Sequence, residues 1–397
     1  MNFKALGSIA IVAGTAIGAG MLALPLATAA LGFTQAMILM VAIWLLSAYT
    51  GLLMLEVNLR SGVGDNLHAI AGKFLGKPGQ VVMGVSMLGL LYSITAAYLT
   101  GGASLLVARA EGLFGVALNN EMAVLLFTLV LGAVAAIGVA WVDKFSRLAF
   151  SVMMAILVVV LFALVDDVAV GSLSRSLVEG DQGLGWMQAI PVVFTSFGFH
   201  VCIASLVGYL QGEAKPLRKV LLIGSTIPLA CYTFWLIVSF GTVGIDNLAS
   251  FEGGVAEMIQ AMQQASSSTW IGNLVFVFAD LALITSFLGV TLSLFDFLSE
   301  LTRAKPTLGG RARTALITYI PPVLLAIYYP EGFVALLGFA AIPLVFMVLV
   351  LPVMEAIKQR AAGMEGYQVS GGMPALIAVL LSGVVIIGAQ FVAVFSG

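Results

Sequence analysis

The sequence predicts an all-α polytopic membrane protein with eleven transmembrane helices. The first observation is composition: 61% of the 397 residues are hydrophobic and only 9% are charged, whereas soluble domains carry about 25% charged residues. A water-soluble fold of this size would lack the charges to cover its surface, so lipid must solvate most of it. The other two observations are a series of long apolar segments and the sorting of basic residues between them.

Each spanning helix needs roughly 20 mostly apolar residues. Such stretches occur at 5–31, 34–58, 80–108, 122–142, 147–165, 186–210, 218–242, 270–299, 313–329, 332–354 and 374–396. The fourth and fifth are separated only by Asp143, Lys144 and Arg147, which predicts a tight turn there.

The basic residues sort strongly to one side of these segments. With the N-terminus in the cytoplasm, all but two of the 17 Lys and Arg residues fall in cytoplasmic segments, and the exceptions are Arg109 and Arg175. This positive-inside bias predicts a cytoplasmic N-terminus and a C-terminus on the opposite side. The outer loop 243–269 is long enough for a short lid helix, and the cytoplasmic stretch 61–79 for another.

The first and sixth apolar segments carry helix-breaking sequences in mid-span. Residues 14–20 read Gly-Thr-Ala-Ile-Gly-Ala-Gly, and residues 195–200 read Thr-Ser-Phe-Gly-Phe-His after Pro191. Each glycine costs a helix about 1 kcal/mol relative to alanine. Freed backbone is tolerated in lipid only where it is buried or lines a cavity, and paired breaks in two halves point to a carrier's binding site. Close helix packing is the alternative reason for the glycines.

The two breaks lie five spans apart, and this odd number gives the two halves opposite topology. The sequence therefore predicts an inverted repeat over 5–165 and 186–354, with an extra helix at 374–396. At such breaks, half-helix N-termini suit a carboxylate and half-helix C-termini suit an ammonium group or a cation. A zwitterionic small molecule needs both.

Other classes of function find little support in the sequence. No span has the sustained polar face of a channel, and neither a Walker motif nor a pair of catalytic side chains at membrane depth is present. We therefore expect no enzyme activity and no cofactor. With a net charge of −2, nothing indicates nucleic-acid binding. Membrane lipid and a small-molecule substrate are the expected partners, and no obligatory protein partner is evident.

Three blocks, 14–25 (GTAIGAGMLALP), 194–200 (FTSFGFH) and 280–289 (DLALITSFLG), resemble the bacterial aromatic amino acid permeases. The similarity runs over nearly the whole chain. It implies the amino acid–polyamine–cation superfamily, the leucine-transporter-type 5+5 fold, and proton-driven symport in a bacterial inner membrane with a periplasmic C-terminus. The implied substrate is an aromatic amino acid, tyrosine first, with tryptophan or a broad aromatic range as the alternative.

The resemblance also implies a binding site built on the two breaks. Its expected residues are Thr15, Ala16, Gly18, Gly20, Ser196, Gly198 and Phe199, with Tyr92 or Tyr98 from the third span. Flat apolar side chains suit an aromatic substrate, so we expect Phe194, Phe197 and Phe199 to form walls. Lipid-facing or helix-packing bulk is the alternative role of these rings.

Two buried ionisable residues are the candidates for the coupling proton, because such residues are costly inside a membrane. They are Asp280 and His200, for which a structural hydrogen bond is the alternative role; Glu56 and Asp296 lie near predicted cytoplasmic ends, within expected reach of water. The resemblance leaves a sodium ion open, as sodium-coupled members of the fold bind it with groups that match Gly14, Ile17, Ala282, Thr285 and Ser286.

Overall fold

The computed structural model describes residues 3–18, 20–137, 139–173, 182–251, 253–305 and 307–396. These residues form helices joined by short connections and contain no strand. The α-helices are α1 Phe3–Ala16, α2 Gly20–Thr28, α3 Gly32–Ser61, α4 Leu67–Phe114, α5 Asn120–Ile137, α6 Val139–Ala163, α7 Val170–Leu173, α8 Gln182–Ser196, α9 Ile203–Tyr209, α10 Ala214–Val243, α11 Ile245–Ser250, α12 Val255–Ala265, α13 Thr269–Leu301, α14 Leu308–Tyr328, α15 Phe333–Val345, α16 Leu351–Ala361 and α17 Gly372–Ser396. Short 3₁₀ helices occupy Ala29–Leu31, Val165–Asp167 and Phe199–Cys202, and a π-helix occupies Phe346–Val350.

Eight stretches of the described residues are helical, long and apolar enough to cross a membrane, as expected of a multi-pass membrane protein. They are Gly20–Ser61, Leu67–Phe114, Lys144–Asp167, Gly183–Tyr209, Ala214–Val243, Thr269–Leu301, Phe333–Ala361 and Gly372–Phe395. The first of these contains both the end of the predicted first segment and all of the second. Two shorter apolar helices, Lys4–Ala16 and Asn120–Ala133, also coincide with predicted segments, and α14 overlaps the ninth. The count of eleven stays a prediction.

Both predicted interruptions are present as gaps in helices. The helix α1 ends at Ala16 and α2 begins at Gly20, while α8 ends at Ser196 and α9 begins at Ile203 after a short 3₁₀ turn. Their glycines leave no Cβ to support helical packing, and the chain uses the resulting freedom to leave the α-helix in mid-segment. Each interrupted pair therefore offers two half-helix ends inside the apolar part of the molecule.

The connections differ from expectation in one place. The predicted turn between the fourth and fifth segments is wrong in position, because α6 already begins at Val139 and runs through the charged residues 143–147. The stretch 61–79 does hold a short helix: the first turns of α4 are separated from its long part by Gly76, whose φ of 72° is left-handed. The outer loop 243–269 contains α11 and α12, and Arg175 lies outside the described residues.

Small residues bring the helices of the two halves close together. At Gly224 on α10, a Cβ would lie 2.6 Å from Cβ of Val12 on α1, so α10 and α1 pack with their backbones near each other, as small residues permit in membranes. The helix α13 packs on α6 and α4, and α2 packs on α8. The two interrupted pairs thus contact each other directly through α2 and α8, and α10 packs on both halves of the first pair.

A buried ion-pair network ties α3 to α16. Arg360 donates from Nε and Nη2 to the two carboxylate oxygens of Glu56, at 2.8 and 2.7 Å, and Arg60 donates to Oε1 at 2.8 Å. The backbone N–H of Val369 donates to the same carboxylate. Glu56 is wholly buried, so the expectation that it reaches water is wrong. Its charge is stable there because two cations and an N–H group replace the solvent.

Candidate functional site

The first break is packed against both the second break and α13. At Gly18 a Cβ would lie 2.7 Å from Oγ of Ser286 on α13, and at Gly20 a Cβ would lie 3.3 Å from Oγ of Ser196. Neither position has room for a side chain without movement of its neighbour. The glycines predicted to form a site therefore serve close approach as well as conformational freedom.

The second break has two consecutive turns that close on the end of α8. The N–H of Phe197 donates to the carbonyl of Phe194 at 3.2 Å, and the N–H of Gly198 donates to the carbonyl of Thr195 at 3.0 Å. The Oγ of Ser196 lies 2.9 Å from the carbonyl oxygen of Val192 and 3.3 Å from that of Gly20. The last carbonyl of α8, that of Ser196 itself, is left pointing out of the helix.

Tyr232 on α10 joins the two half-helix ends. Its hydroxyl oxygen lies 2.7 Å from the carbonyl oxygen of Ala16, the last residue of α1, and 2.8 Å from that of Ser196, the last residue of α8. One hydroxyl hydrogen serves two acceptors, so at any moment one carbonyl lacks a full hydrogen bond. The ring is completely buried and packs edge-on against Phe197, with centroids 5.2 Å apart.

Tyr98 is the member of the predicted tyrosine pair that reaches this region. It is buried on α4 and hydrogen-bonded to Ser286, the side chain that faces Gly18. Tyr92 lies apart: its hydroxyl donates to the carbonyl of Ile317 on α14 at 2.8 Å, within a separate small cluster of α4, α13 and α14 side chains. We therefore withdraw Tyr92 from the site.

The predicted aromatic walls separate into two groups. Phe194 and Phe197 are buried beside the break, so their alternative role as lipid-facing bulk is wrong. Phe199 faces α3 instead, because its ring would contact a Cβ at Gly51 at 3.0 Å and stacks on the ring of His200 at 4.6 Å. Phe199 therefore lies apart from Phe194 and Phe197, on the side of α3.

His200 is also directed towards α3. Its Nε2 lies 2.8 Å from Oγ1 of Thr50, and the residue is buried. The structure thus gives His200 the structural hydrogen bond that was its alternative role.

Asp280 lies beside a cation, on the far side of α13 from the break. Arg109 of α4 binds its Oδ2 from Nη2 at 2.8 Å, and about a quarter of each side chain is exposed. The carboxylate therefore has its counter-ion within the protein, and this pairing weighs against Asp280 as a proton carrier.

The groups considered for sodium are partly engaged elsewhere. A Cβ at Gly14 would lie 3.0 Å from Cζ of Phe150 on α6, so an apolar ring covers this part of the break. The hydroxyl of Thr285 donates to the carbonyl of Leu281 at 2.7 Å. Ile17 and Ala282 are buried.

Thr15 lies at the end of α1, next to the second break. It is exposed, its hydroxyl donates to the carbonyl of Ile11 at 2.7 Å within α1, and its side chain is hydrogen-bonded to Cys202. Gly198 supplies the turn itself, since a Cβ there would lie 2.9 Å from the carbonyl oxygen of Thr195. The groups that converge on the centre are therefore Ala16, Gly18, Gly20, Ser196 and Tyr98, together with Ser286 and the unpredicted Tyr232.

This arrangement suits a small molecule with both charges. The carbonyls at the ends of α1 and α8 meet at one point and attract a positively charged donor, while the first turn of α2 presents N–H groups that attract an anion. No cluster of three His, Cys, Asp or Glu residues that could hold a metal ion occurs in the described part of the chain.

Comparison of the sequence with known proteins shows the family of the chain. A sequence model described as the tryptophan/tyrosine permease family matches residues 1–390. The tyrosine-specific transport system 2 of Haemophilus influenzae is 36% identical over 388 residues, which cover 96% of this chain and 95% of the relative. The tryptophan-specific transport protein of Pseudomonas aeruginosa is 32% identical over 96% of this chain and 92% of its own length. Glutamine transporter 2 of Aliivibrio fischeri is 32% identical over 98% and 100%, respectively.

Proposed function

The chain belongs to the tryptophan/tyrosine permease family, and on that premise we propose that it is a secondary active symporter. It imports an aromatic amino acid, with tyrosine as the preferred substrate, and the proton gradient drives uptake. The convergence of the α1 and α8 carbonyl ends on Tyr232 is the observation that carries this proposal. Two half-helix ends that meet in mid-segment give a binding point for an amino group without any buried acidic side chain.

The proposed binding mode follows from the polarity of the half-helices. The ammonium group donates to the carbonyls of Ala16 and Ser196, and it shares this position with the hydroxyl of Tyr232. The carboxylate accepts from N–H groups in the first turn of α2, which begins at Gly20. The side chain then lies towards the rings of Phe194 and Phe197.

The buried rings of Phe194 and Phe197 and the names of two relatives both favour an aromatic substrate. Two of the relatives above carry names specific for tyrosine or tryptophan, and flat buried side chains suit an aromatic ring better than an amide. Glutamine transport is the second candidate, because a full-length relative bears that name. Direct competition between these amino acids separates the two candidates.

Proton coupling is the proposed driving force, and sodium coupling is its alternative. The ring of Phe150 fills the Cβ direction of Gly14, a contact that does not involve the carbonyl oxygen a sodium ion would bind. The hydroxyl of Thr285 donates to the carbonyl of Leu281, which leaves its oxygen able to accept a cation. The ion dependence of uptake therefore separates the two alternatives.

We further propose eleven spans in a leucine-transporter-type 5+5 inverted repeat plus one helix, in a bacterial inner membrane. The interruptions in the first and sixth segments support the repeat, since they lie five segments apart. The distribution of Lys and Arg supports a cytoplasmic N-terminus and a periplasmic C-terminus.

Uptake of radiolabelled tyrosine into proteoliposomes tests the proposal. With an inside-alkaline pH gradient and no sodium, tyrosine should accumulate above its external concentration, and a protonophore should abolish the accumulation. Unlabelled tryptophan and phenylalanine should compete more strongly than glutamine. Accumulation that needs a sodium gradient and ignores pH would overturn proton coupling, and stronger competition by glutamine would overturn the aromatic assignment.

A further inference from the structure

Glu355 on α16 is a buried carboxyl group without a partner. Its exposed fraction is 3%, and its Oε1 has no hydrogen-bond partner. In the described part of the chain no hydrogen bond or ion pair involves its carboxyl group. Glu56 on α3 is also buried, but it accepts hydrogen bonds from Arg60, Arg360 and the backbone N–H of Val369. These partners stabilise the charge of Glu56, whereas nothing comparable among the described residues stabilises a charge on Glu355.

In the described part of the chain, no charged group on the helices around Glu355 is paired with it. The elements packed on α16 are α3, α4, the π-helix and α17, and the last two carry no ionisable side chain among their described residues. The other titratable or charged side chains of α3, α4 and α16 are Tyr49, Glu56, Arg60, His68, Lys73, Lys77, Tyr92, Tyr98, Arg109, Glu111, Lys358 and Arg360. The arginines bind Glu56 or Asp280, and Lys73 binds Asp65. The hydroxyls of Tyr49 and Tyr92 donate to backbone carbonyls, and Tyr98 is hydrogen-bonded to Ser286. His68 lies near Gly84, on the long part of α4, and Lys358 is exposed.

A second unpaired oxygen lies one turn further along the same face. Gln359 is completely buried, and its Oε1 also lacks a partner. Its Nε2 donates to the carbonyl of Val57 at 3.1 Å, which places this face of α16 against α3. Residues four apart share a helix face, so two acceptor oxygens without a donor stand next to each other. A carboxylate would add a charge to this arrangement, whereas a carboxylic acid would add the missing donor.

We propose that Glu355 is the site at which the coupling proton binds. The step is a simple protonation: the carboxylate takes one proton from the side of higher proton concentration and returns it on the other side. This inference rests on the proposed proton symport and assigns it a residue. It replaces Asp280, which has a counter-ion, and His200, whose ring is bonded to Thr50.

The position of Glu355 explains how the proton would act on the carrier. Loss of the proton leaves an unpaired charge between α16 and α3, and only access to water relieves the cost of that charge. The same helix carries Arg360, which forms an ion pair with Glu56 on α3. A movement of α16 away from α3 at Glu355 would therefore also displace this ion pair. The π-helix at Phe346–Val350 directly precedes α16 and gives it a place to bend.

Glu355→Gln, which mimics the protonated form, tests the assignment in proteoliposomes. The variant should keep tyrosine counterflow within about twofold of the wild type but lose accumulation driven by a pH gradient at least about tenfold, because exchange does not require proton release. Glu300→Gln is the matched control: Glu300 is exposed at the end of α13, and its loss should change neither measurement. Glu355→Asp, which keeps a carboxyl group at a different depth, should accumulate tyrosine with a shifted pH profile.

The outcomes separate the two proposals. If the wild type fails to accumulate tyrosine in response to pH, proton symport itself is wrong. If the wild type responds and Glu355→Gln accumulates equally well, symport stands and Glu355 is not the proton site. If Glu355→Gln does not yield folded protein, an unchanged pH profile in Glu355→Asp overturns the assignment and a shifted profile supports it.

Discussion

Arg109 and Asp280 are 171 residues apart in the sequence and form an ion pair between α4 and α13, with the guanidinium lying 4.7 Å from the centre of the Phe276 ring. The pair is part-exposed, so its contribution to stability is modest. It lies on the third and eighth apolar segments, one from each proposed repeat. It therefore joins the two halves of the molecule at one end of the bundle.

The first prediction concerns this pair. Asp280→Asn should leave pH-driven accumulation intact, and a double-mutant cycle with Arg109→Gln should give a coupling energy of about 1 kcal/mol, because part-exposed pairs contribute little. Equilibrium unfolding in mixed micelles measures the coupling. Loss of accumulation with preserved exchange in Asp280→Asn would return proton carriage to Asp280.

The second prediction concerns the hydroxyl of Tyr232. Tyr232→Phe should weaken tyrosine binding about tenfold, because the hydroxyl that bridges the carbonyls of Ala16 and Ser196 holds the two half-helix ends in place for the substrate. Equilibrium binding to the purified protein measures this change. Tyr92→Phe is the matched control. The hydroxyl of Tyr92 also donates to a backbone carbonyl, that of Ile317, but it lies in the separate cluster of α4, α13 and α14 side chains. Equal effects of the two variants would mean that Tyr232 acts only on stability.

The third prediction concerns the space at Gly18. Gly18→Ala should reduce tyrosine affinity about tenfold, because the added Cβ overlaps Oγ of Ser286 and displaces either this hydroxyl or the break. Adding Ser286→Ala removes that oxygen and should restore part of the affinity. Gly7→Ala in α1 is the control, as nothing lies within 4 Å of its Cβ position. If the double variant binds no better than Gly18→Ala, the overlap is not the cause.

The fourth prediction concerns the buried network between α3 and α16. Glu56→Gln should lower the free energy of unfolding by about 3–5 kcal/mol, because an amide N–H₂ group would face two arginines that have lost their only shared anion. Asp65→Asn, at an exposed pair with Lys73, should change it by less than about 1 kcal/mol. Thermal unfolding in detergent compares the two. Similar losses in both variants would show that the network adds no special stability.

The interrupted helices were predictable because glycine and proline act through the local backbone. A run such as residues 14–20 destabilises a helix in any surroundings, so its effect is readable without knowledge of the fold. The same holds for the short helix that ends at Gly76. The pairing of Tyr92 and Tyr98 as alternatives was also informative: six residues place them about 120° apart around a helix, so only one could face the site.

The partners of single side chains were not predictable. Tyr232 is one aromatic residue in an apolar segment, and nothing in the sequence distinguishes it from a lipid-facing neighbour. Glu355 lies one residue beyond the predicted end of the tenth segment and close to Lys358 and Arg360, so the sequence gives no reason to place it inside the molecule. In the structure the helix continues to Ala361 and keeps this carboxyl group inside. Such contacts depend on which helices meet, and this is a property of the whole fold.

The π-helix at Phe346–Val350 also sets the rotational register of everything that follows it. Its wider turn accommodates one residue more than an α-helix, and one residue corresponds to about 100° of rotation. Deletion of a single residue from this turn would replace the π-helix by an α-helical turn between α15 and α16, with Pro352 leaving a kink at the junction. It would also rotate Glu355 and Arg360 together, away from α3, without changing either side chain.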